Sequence, residues 1–116
     1  MLDTARPSRG DVWLASLNPT RGHEQAGIRP IVVVSDDVFN HGSAELVVIV
    51  PLTTTWRGIA LHIPVDPPEG GLRRRSVIKC EDVRSISIER LIERWGQVSA
   101  QTMTVVEDRL RILLHL

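Results

Sequence analysis

The chain has 116 residues, of which 42% are hydrophobic and 24% are charged, and these values are typical of one globular domain rather than a disordered or fibrous chain. Fourteen basic and fourteen acidic residues cancel, which excludes nucleic-acid binding through bulk charge but leaves a local basic groove possible. A single cysteine, Cys80, excludes an internal disulfide framework, and we expect it to be a small buried side chain.

No apolar run reaches the length of a membrane span, and the N-terminus lacks the apolar segment of a secretion signal. We therefore expect a cytoplasmic protein without membrane association. Residues 1–116 are expected to form one domain, with residues 1–8 as a flexible N-terminus.

The first half of the chain reads as short strands separated by polar segments. In order, the pattern predicts a strand at 10–17, a glycine-bracketed loop at 20–27, a buried strand at 31–34, a helical turn at 36–40 and a strand at 45–50. A loop this long in a small domain is usually mobile or functional.

The second half continues with strands and ends in a helix. Strands are predicted at 59–65, 76–83 and 94–98, with a turn at 67–71. In the strand 59–65, alternation places Ile59, Leu61, Ile63 and Val65 on one face, and Pro64 requires an edge position or a bulge because it lacks an N–H.

From Ala100, apolar residues recur at helical spacing, and Ser99 is the expected N-cap. The apolar stripe comprises Met103, Val106, Leu110, Leu113 and Leu114. Ile112 and Leu116 add more apolar surface than one face needs, so burial in the monomer and a dimer contact both stay open. Together these elements predict a mainly β fold, a small antiparallel β-barrel with a C-terminal helix.

Candidate chemistry is concentrated in two segments, because the chain carries no metal-binding, phosphate-loop or dinucleotide motif. The first segment is the loop with Arg21, Glu24 and Gln25, followed by Arg29 at a strand entrance, where a fixed guanidinium can grip two phosphate oxygens. The second is the stretch 51–57, where a strand ends in a cluster of hydroxyls, and its three consecutive threonines either carry chemistry or are simply β-formers at a strand end. His62 and His115 are interpreted as structural.

Between Arg57 and Lys79 the sequence has five basic residues and two acidic ones. The triplet at 73–75 is either a solvated loop or a phosphate site. Trp13 and Trp95 are expected in the core, whereas Trp56 either stacks on a base or packs into the barrel.

The segments Arg-Gly-Asp-Val-Trp at 9–13 and Asn-Pro-Thr-Arg-Gly-His-Glu-Gln-Ala-Gly-Ile-Arg-Pro at 18–30 resemble the MazF/PemK family of toxin endoribonucleases. The similarity continues at 33–35, 39–40, 50–54, 83–86 and 90–91, and so covers nearly the whole chain. The segment at 19–30 is the most specific part of the resemblance.

The resemblance implies an SH3-like barrel of the type shared with CcdB toxins, assembled as a homodimer. It implies metal-independent cleavage of single-stranded RNA, mostly messenger RNA, without a cofactor. The implied partner is a MazE-like antitoxin with a disordered acidic tail. By the family motif, Arg29 and Thr53 are the catalytic pair and Glu24 is a third position in the mobile loop.

The residues fit attack by a ribose 2′-OH on the adjacent phosphorus, which gives a 2′,3′-cyclic phosphate and a 5′-OH end. We assign Arg29 as phosphate clamp and acid, and Thr53 as stabiliser. Glu24 is the more orthodox base, because a guanidinium that stays charged is a poor proton acceptor. The expected RNA-binding residues are Arg21, Gln25, Thr54, Trp56, Arg57, Asp82 and Arg84.

Asp82 departs from the resemblance, since many relatives have Gln there. An acidic side chain would accept a hydrogen bond from a base amino group, so sequence specificity does not carry over. Two alternatives remain: a CcdB-like protein-binding toxin that poisons gyrase, and an inactive regulatory relative on the same fold.

Overall fold

A seven-stranded antiparallel sheet makes up most of the computed structural model, which describes residues 6–116. The strands are β1 (Asp11–Ser16), β2 (Ile28–Val33), β3 (Leu46–Thr53), β4 (His62–Val65), β5 (Ser76–Lys79), β6 (Arg84–Ser87) and β7 (Leu91–Gln97). The helices are α1 (Asp37–Asn40) and α2 (Ala100–Leu114). Short 3₁₀ turns lie at Glu69–Gly71, Cys80–Asp82 and Ile88–Arg90.

The strands follow the order β4-β5-β3-β2-β1-β7, and β6 pairs with β3 outside this path. The eight-residue strand β3 changes partner along its length, since Leu46–Ile49 pair with β6 and Leu52–Thr53 pair with β5. Within the described residues, β4 and β7 end the path without pairing with each other, so the barrel is open on that side. The predicted mainly β fold with a C-terminal helix is confirmed.

The central strands are buried on both faces. Val12, Val32 and Val50 belong to one apolar cluster, whereas their neighbours Trp13, Ile31 and Ile49 belong to a second. Successive side chains of a strand point to opposite faces, so the two clusters lie on the two sides of the sheet. This explains why 31–34 is an unbroken β-branched run, as predicted.

Several boundaries differ from the sequence prediction. β2 begins at Ile28 instead of residue 31, β3 extends to Thr53 instead of residue 50, and β7 begins at Leu91 instead of residue 94.

Three further differences involve β4, β5 and β6. The predicted strand 76–83 ends at Lys79, because a 3₁₀ turn over Cys80–Asp82 bends the chain before β6 begins. β6 was not predicted, since Arg-Ser-Ile-Ser carries a single apolar residue. The predicted strand 59–65 starts only at His62, and Ile59 is 42% exposed instead of sharing the buried face.

Other predictions about these segments are confirmed. β4 pairs only with β5 in the described part of the chain, so Pro64 lies on an edge strand. Trp13 and Cys80 are buried, and Trp95 packs against the first cluster. Of the predicted flexible N-terminus, residues 1–5 lie outside the described residues, whereas Pro7 is buried and the Ser8 N–H donates to Asp11.

Helix α2 begins as predicted, with the Ser99 hydroxyl accepting a hydrogen bond from the Thr102 N–H at 3.1 Å. Val106 is fully buried, and Met103 and Leu110 pack against the first cluster. The last turn is different, because Ile112 and Leu116 are 64% and 84% exposed. Burial of these two side chains within the monomer, one of the two interpretations above, is therefore wrong. No helix among residues 6–116 has the length and apolar character required to cross a bilayer.

Candidate active site

A cleft of about 510 Å³ lies between the loop 20–27 and the ends of β3, β4 and β5. Its lining combines loop residues, hydroxyls and charged groups. These are Gly22, His23, Glu24, Gln25, Arg29, Thr53, Thr55, Arg57, Ile59, His62, Lys79 and Glu81. Arg29, Thr53 and Glu24, the three predicted catalytic residues, thus line one cleft.

The pairing of β2 with β3 explains how Arg29 and Thr53 meet. Ile31 pairs with Pro51 at the end of the ladder. Arg29 lies two residues before Ile31, and Thr53 lies two residues after Pro51. Extending the antiparallel register therefore places Arg29 level with Thr53. Residues two apart on a strand share a face, so both side chains project to the same side of the sheet.

The Arg29 guanidinium is anchored by the loop that precedes it. Its Nε donates to the Ala26 carbonyl oxygen at 2.7 Å. With the Gln25 amide oriented so that its oxygen faces the guanidinium, that oxygen lies 2.6 Å from Nε. The same oxygen lies 3.2 and 3.1 Å from the two terminal nitrogens, so Gln25 and Ala26 together hold the guanidinium in the lining of the cleft.

Thr53 ends β3 opposite Val77 and is 8% exposed. Its Oγ1 accepts a hydrogen bond from the Thr55 N–H at 3.2 Å. A hydroxyl that accepts one bond still has its own proton to donate. Thr53 therefore offers the cleft a nearly buried O–H donor that is held in place by the backbone.

The loop 20–27 is tied to the strands beneath it. Glu24 accepts from the Arg21 N–H at 2.8 Å, and its other carboxylate oxygen lies 3.7 Å from Arg84 Nη1. The Gln25 N–H donates to Asp82 Oδ2 at 2.6 Å. Lys79 Nζ donates to the His23 carbonyl oxygen at 3.1 Å.

Three of the predicted RNA-binding residues therefore support the loop. Arg21 contacts Glu24 through its backbone, Arg84 faces Glu24 through its side chain, and one Asp82 oxygen is already bound to the loop. Base recognition by Asp82 stays a prediction, with its other carboxylate oxygen as the atom available for it.

Thr54 and Trp56 do not line the cleft. They lie in an adjoining hollow of about 180 Å³ whose other lining residues are Arg75, Ser76 and Val77. Trp56 is 55% exposed, so the interpretation that it packs into the barrel is wrong. Gln25 and Arg57, by contrast, line the main cleft as expected.

The pair of His62 and Glu81 in the cleft lining was not predicted as part of the site. His62 Nε2 lies 2.7 Å from Glu81 Oε2, and the His62 side chain is only 1% exposed. His62 Nδ1 and Glu81 Oε1 have no hydrogen-bond partner among the described residues. The sequence offered little indication of this pair, because His62 and Glu81 lie 19 positions apart and neither residue suggests a role in the site by itself.

Cys80 directly precedes Glu81 and is fully buried. Burial, together with the neighbouring Glu81 charge, raises the pKa of its thiol to about 11. The thiol is therefore protonated at neutral pH and is a poor nucleophile.

Within residues 6–116, no three His, Cys, Asp or Glu side chains are grouped to hold a metal ion.

The fold of the chain is shared with known structures of MazF toxins. MazF from Deinococcus radiodurans is 24% identical, covers 97% of this chain and 99% of its own, and superposes with a TM-score of 0.85. An endoribonuclease in complex with its cognate antitoxin, from a Mycobacterial species, is 26% identical over 95% of this chain and 96% of its own, with a TM-score of 0.78.

Sequence comparison identifies the family. Residues 8–114 match the family described as PemK-like, MazF-like toxin of type II toxin-antitoxin system. Endoribonuclease EndoA of Bacillus subtilis is 33% identical over 109 residues, which span 93% of this chain and 94% of that protein. The chain belongs to the PemK-like, MazF-like toxin family.

Proposed function

We propose that this protein is the toxin of a type II toxin–antitoxin system and acts as an endoribonuclease on single-stranded RNA, chiefly messenger RNA. The main observation in support of the proposal is that Arg29 and Thr53 line the same cleft of about 510 Å³. The relative named Endoribonuclease EndoA supports the same activity.

In the proposed reaction, the ribose 2′-oxygen forms a bond to the adjacent phosphorus and the bond from phosphorus to the 5′-oxygen breaks. The products are a 2′,3′-cyclic phosphate and a 5′-OH end. Negative charge develops on the equatorial phosphate oxygens, and preorganised donors stabilise such charge strongly. Arg29, fixed through Nε, supplies terminal N–H donors and acts as clamp and acid, and the Thr53 hydroxyl supplies a further donor.

The 2′-OH proton needs an acceptor, and the cleft offers two carboxylates. Glu24 is partly engaged by the Arg21 N–H and faces Arg84. Glu81 is less accessible, because one of its oxygens contacts His62 and the other is buried, so Glu24 is the proposed acceptor. No step is assigned to a metal ion, because these residue types supply clamp, donor and acceptor by themselves.

RNA contacts are proposed for the seven residues predicted from the sequence. Gln25 and Arg57 support this by lining the cleft, and Thr54 and Trp56 by lining the adjoining hollow. Arg21, Asp82 and Arg84 support it less directly, by holding the loop that forms one wall. Because the chain has no net charge, we expect few phosphate contacts and a moderate dependence of affinity on salt.

The proposed partner is a MazE-like antitoxin with an acidic tail, acting in the cytoplasm. The mycobacterial endoribonuclease named above is bound to its cognate antitoxin, which supports this proposal. Arg29, Arg57 and Lys79 give the cleft three cationic groups for an acidic segment to meet.

Mapping the ends of RNA products tests the proposal. Purified protein is incubated with long single-stranded RNA in excess EDTA, beside Arg29→Ala as the site variant and Val38→Ala as a control on exposed α1. We expect cleavage at discrete sites with 5′-OH ends, lost in Arg29→Ala and retained in Val38→Ala.

Absence of cleavage by the folded protein would contradict the proposed activity. A parallel DNA supercoiling assay then separates the alternatives, because a gyrase poison inhibits supercoiling and an inactive regulatory relative does not.

A further inference from the structure

The hollow beside the cleft has the features of a separate binding site. It encloses about 180 Å³ and is lined by Thr54, Trp56, Arg75, Ser76 and Val77. Trp56 is 55% exposed there, so much of its indole ring faces solvent. A large exposed aromatic ring in a concave surface is a stacking platform for another planar group.

Arg75 sits over the same ring, with its guanidinium carbon 6.0 Å from the Trp56 ring centroid. The Arg75 Nε also lies 3.3 Å from Asp66 Oδ1, and both side chains are more than two-thirds exposed. Such an exposed ion pair is weak, but it balances the charge beside the hollow. The hollow therefore favours a flat, neutral ring over a phosphate group.

Two hydroxyls at the hollow add polar groups for the edge of such a ring. Thr54 is exposed, and the Ser76 hydroxyl donates to the Arg74 carbonyl oxygen at 3.0 Å, which leaves its oxygen free to accept. A nucleobase carries donors and acceptors on its edge and an aromatic face. In the hollow, Trp56 can stack on the face of the base, and the hydroxyls of Thr54 and Ser76 can form hydrogen bonds with its edge.

The hollow and the cleft share a wall. Thr53 and Thr55 line the cleft, whereas Thr54 and Trp56, which alternate with them where the chain leaves β3, line the hollow. Consecutive Cα atoms are about 3.8 Å apart, and Val77 of the hollow pairs directly with Thr53. The hollow and the cleft are therefore immediate neighbours, and the distance between them is one that a single RNA strand can span.

We propose that the hollow formed by Trp56 and Arg75 binds one unpaired nucleobase of the RNA strand whose phosphate lies at Arg29 and Thr53. This inference rests on the proposed function. An unpaired base can enter the hollow because it is not held in a duplex, so the site also selects single-stranded RNA.

Binding of modified RNA tests the inference. The probe is a single-stranded RNA containing the mapped cleavage site, with a 2′-deoxy residue at the scissile nucleotide to prevent cleavage. A single abasic residue is moved through the positions that flank this nucleotide. Affinity is measured for the natural protein, Trp56→Ala, Trp56→Phe, Arg75→Met and the control Val38→Ala.

We expect Trp56→Ala to weaken binding about 5- to 150-fold, the range for loss of one base–aromatic stack. Arg75→Met should weaken binding too, whereas Trp56→Phe retains most of the affinity and Val38→Ala all of it. One abasic position should weaken binding to the natural protein by a similar factor and add nothing in Trp56→Ala, since both changes remove the same contact.

Unchanged affinity in Trp56→Ala would overturn the inference, and so would independent, additive losses at every abasic position. In either case, cleavage of unmodified RNA by the natural protein shows that the proposed function stands by itself. If the natural protein neither binds nor cleaves RNA, both are overturned.

Discussion

At the scale of single residues, the site owes its geometry to side chains fixed by hydrogen bonds. Arg29 is held through Nε by the Ala26 carbonyl oxygen, and Thr53 is held by the Thr55 N–H. A catalytic group that is already oriented does not lose further freedom when the substrate arrives. These two contacts make Arg29 and Thr53 better donors than free side chains of the same type.

Cys80 allows a test at this scale. Burial and the Glu81 charge raise the pKa of its thiol from 9.0 to about 11. We expect iodoacetamide at pH 8 to label Cys80 slowly in the folded protein and rapidly in guanidinium chloride, as measured by mass spectrometry. Equal labelling rates in the two conditions would show that the thiol is not buried.

The same shift affects stability at high pH. The unfolded chain releases the thiol proton near pH 9, whereas the folded chain keeps it until about pH 11. The contribution of Cys80 to the free energy of unfolding is therefore complete below pH 9 and is lost as the pH rises toward 11. Denaturant titrations across this range should show the decline, and Cys80→Ala should reduce it.

At the scale of elements, helix α2 is joined to the 3₁₀ turn that contains Glu69. The Glu69 carboxylate accepts from the Ser99 N–H at 3.0 Å and from the Thr102 hydroxyl at 2.5 Å. Burial acts to raise the pKa of Glu69, but these hydrogen bonds outweigh burial and lower it. The first turn of the helix is therefore fixed from both the Ser99 cap and the neighbouring turn.

Removal of the cap tests this arrangement. Ser99→Ala eliminates the oxygen that accepts from the Thr102 N–H, and we expect a loss of about 1 kcal/mol in the free energy of unfolding. Thr104→Ala, on the exposed side of the same helix, is the matched control and should cost little. Equal stability of Ser99→Ala and the natural protein in urea titrations would refute the role of the cap.

At the scale of the whole molecule, the end of α2 presents apolar surface that the single chain does not cover. Ile112, Leu114 and Leu116 are each more than half exposed. Exposed apolar side chains that cluster at one place mark an interaction surface. We propose that this surface contributes to a homodimer, the remaining interpretation of the surplus apolar residues in the helix.

Sedimentation measures the mass directly. The natural protein at micromolar concentration should have twice the mass of one chain, and Ile112→Asp or Leu116→Asp should shift it toward one chain because a buried charge without a partner is costly. Val38→Asp places the same charge on exposed α1 and should leave the dimer intact. A natural protein with the mass of one chain would contradict the proposal.

Local sequence patterns were sufficient for most of the elements, but not for β6 or for contacts between distant segments. The buried strand at 31–34 and the helix start at Ser99 can each be predicted from a few neighbouring residues. β6 has one apolar side chain and is defined by its partner β3. The pair of His62 and Glu81 exists only because the chain folds two distant segments together.

The candidate catalytic residues were identified in a different way. Periodicity singled out a polar loop and a threonine cluster, but it left the threonines open to a simple β-forming role. The family motif named Arg29 and Thr53, and the register of β2 on β3 supplies the physical reason that they lie together. Their roles in cleavage stay predictions.

The central claim is that Arg29 and Thr53 cleave RNA, and the most direct test is the single-turnover cleavage rate of Arg29→Ala at a mapped site. At saturating protein, we expect a rate at least about 10²-fold below that of the natural protein, the usual loss for one transition-state donor. Val38→Ala should cleave at the natural rate. Cleavage by Arg29→Ala at the natural rate would contradict this account of the site.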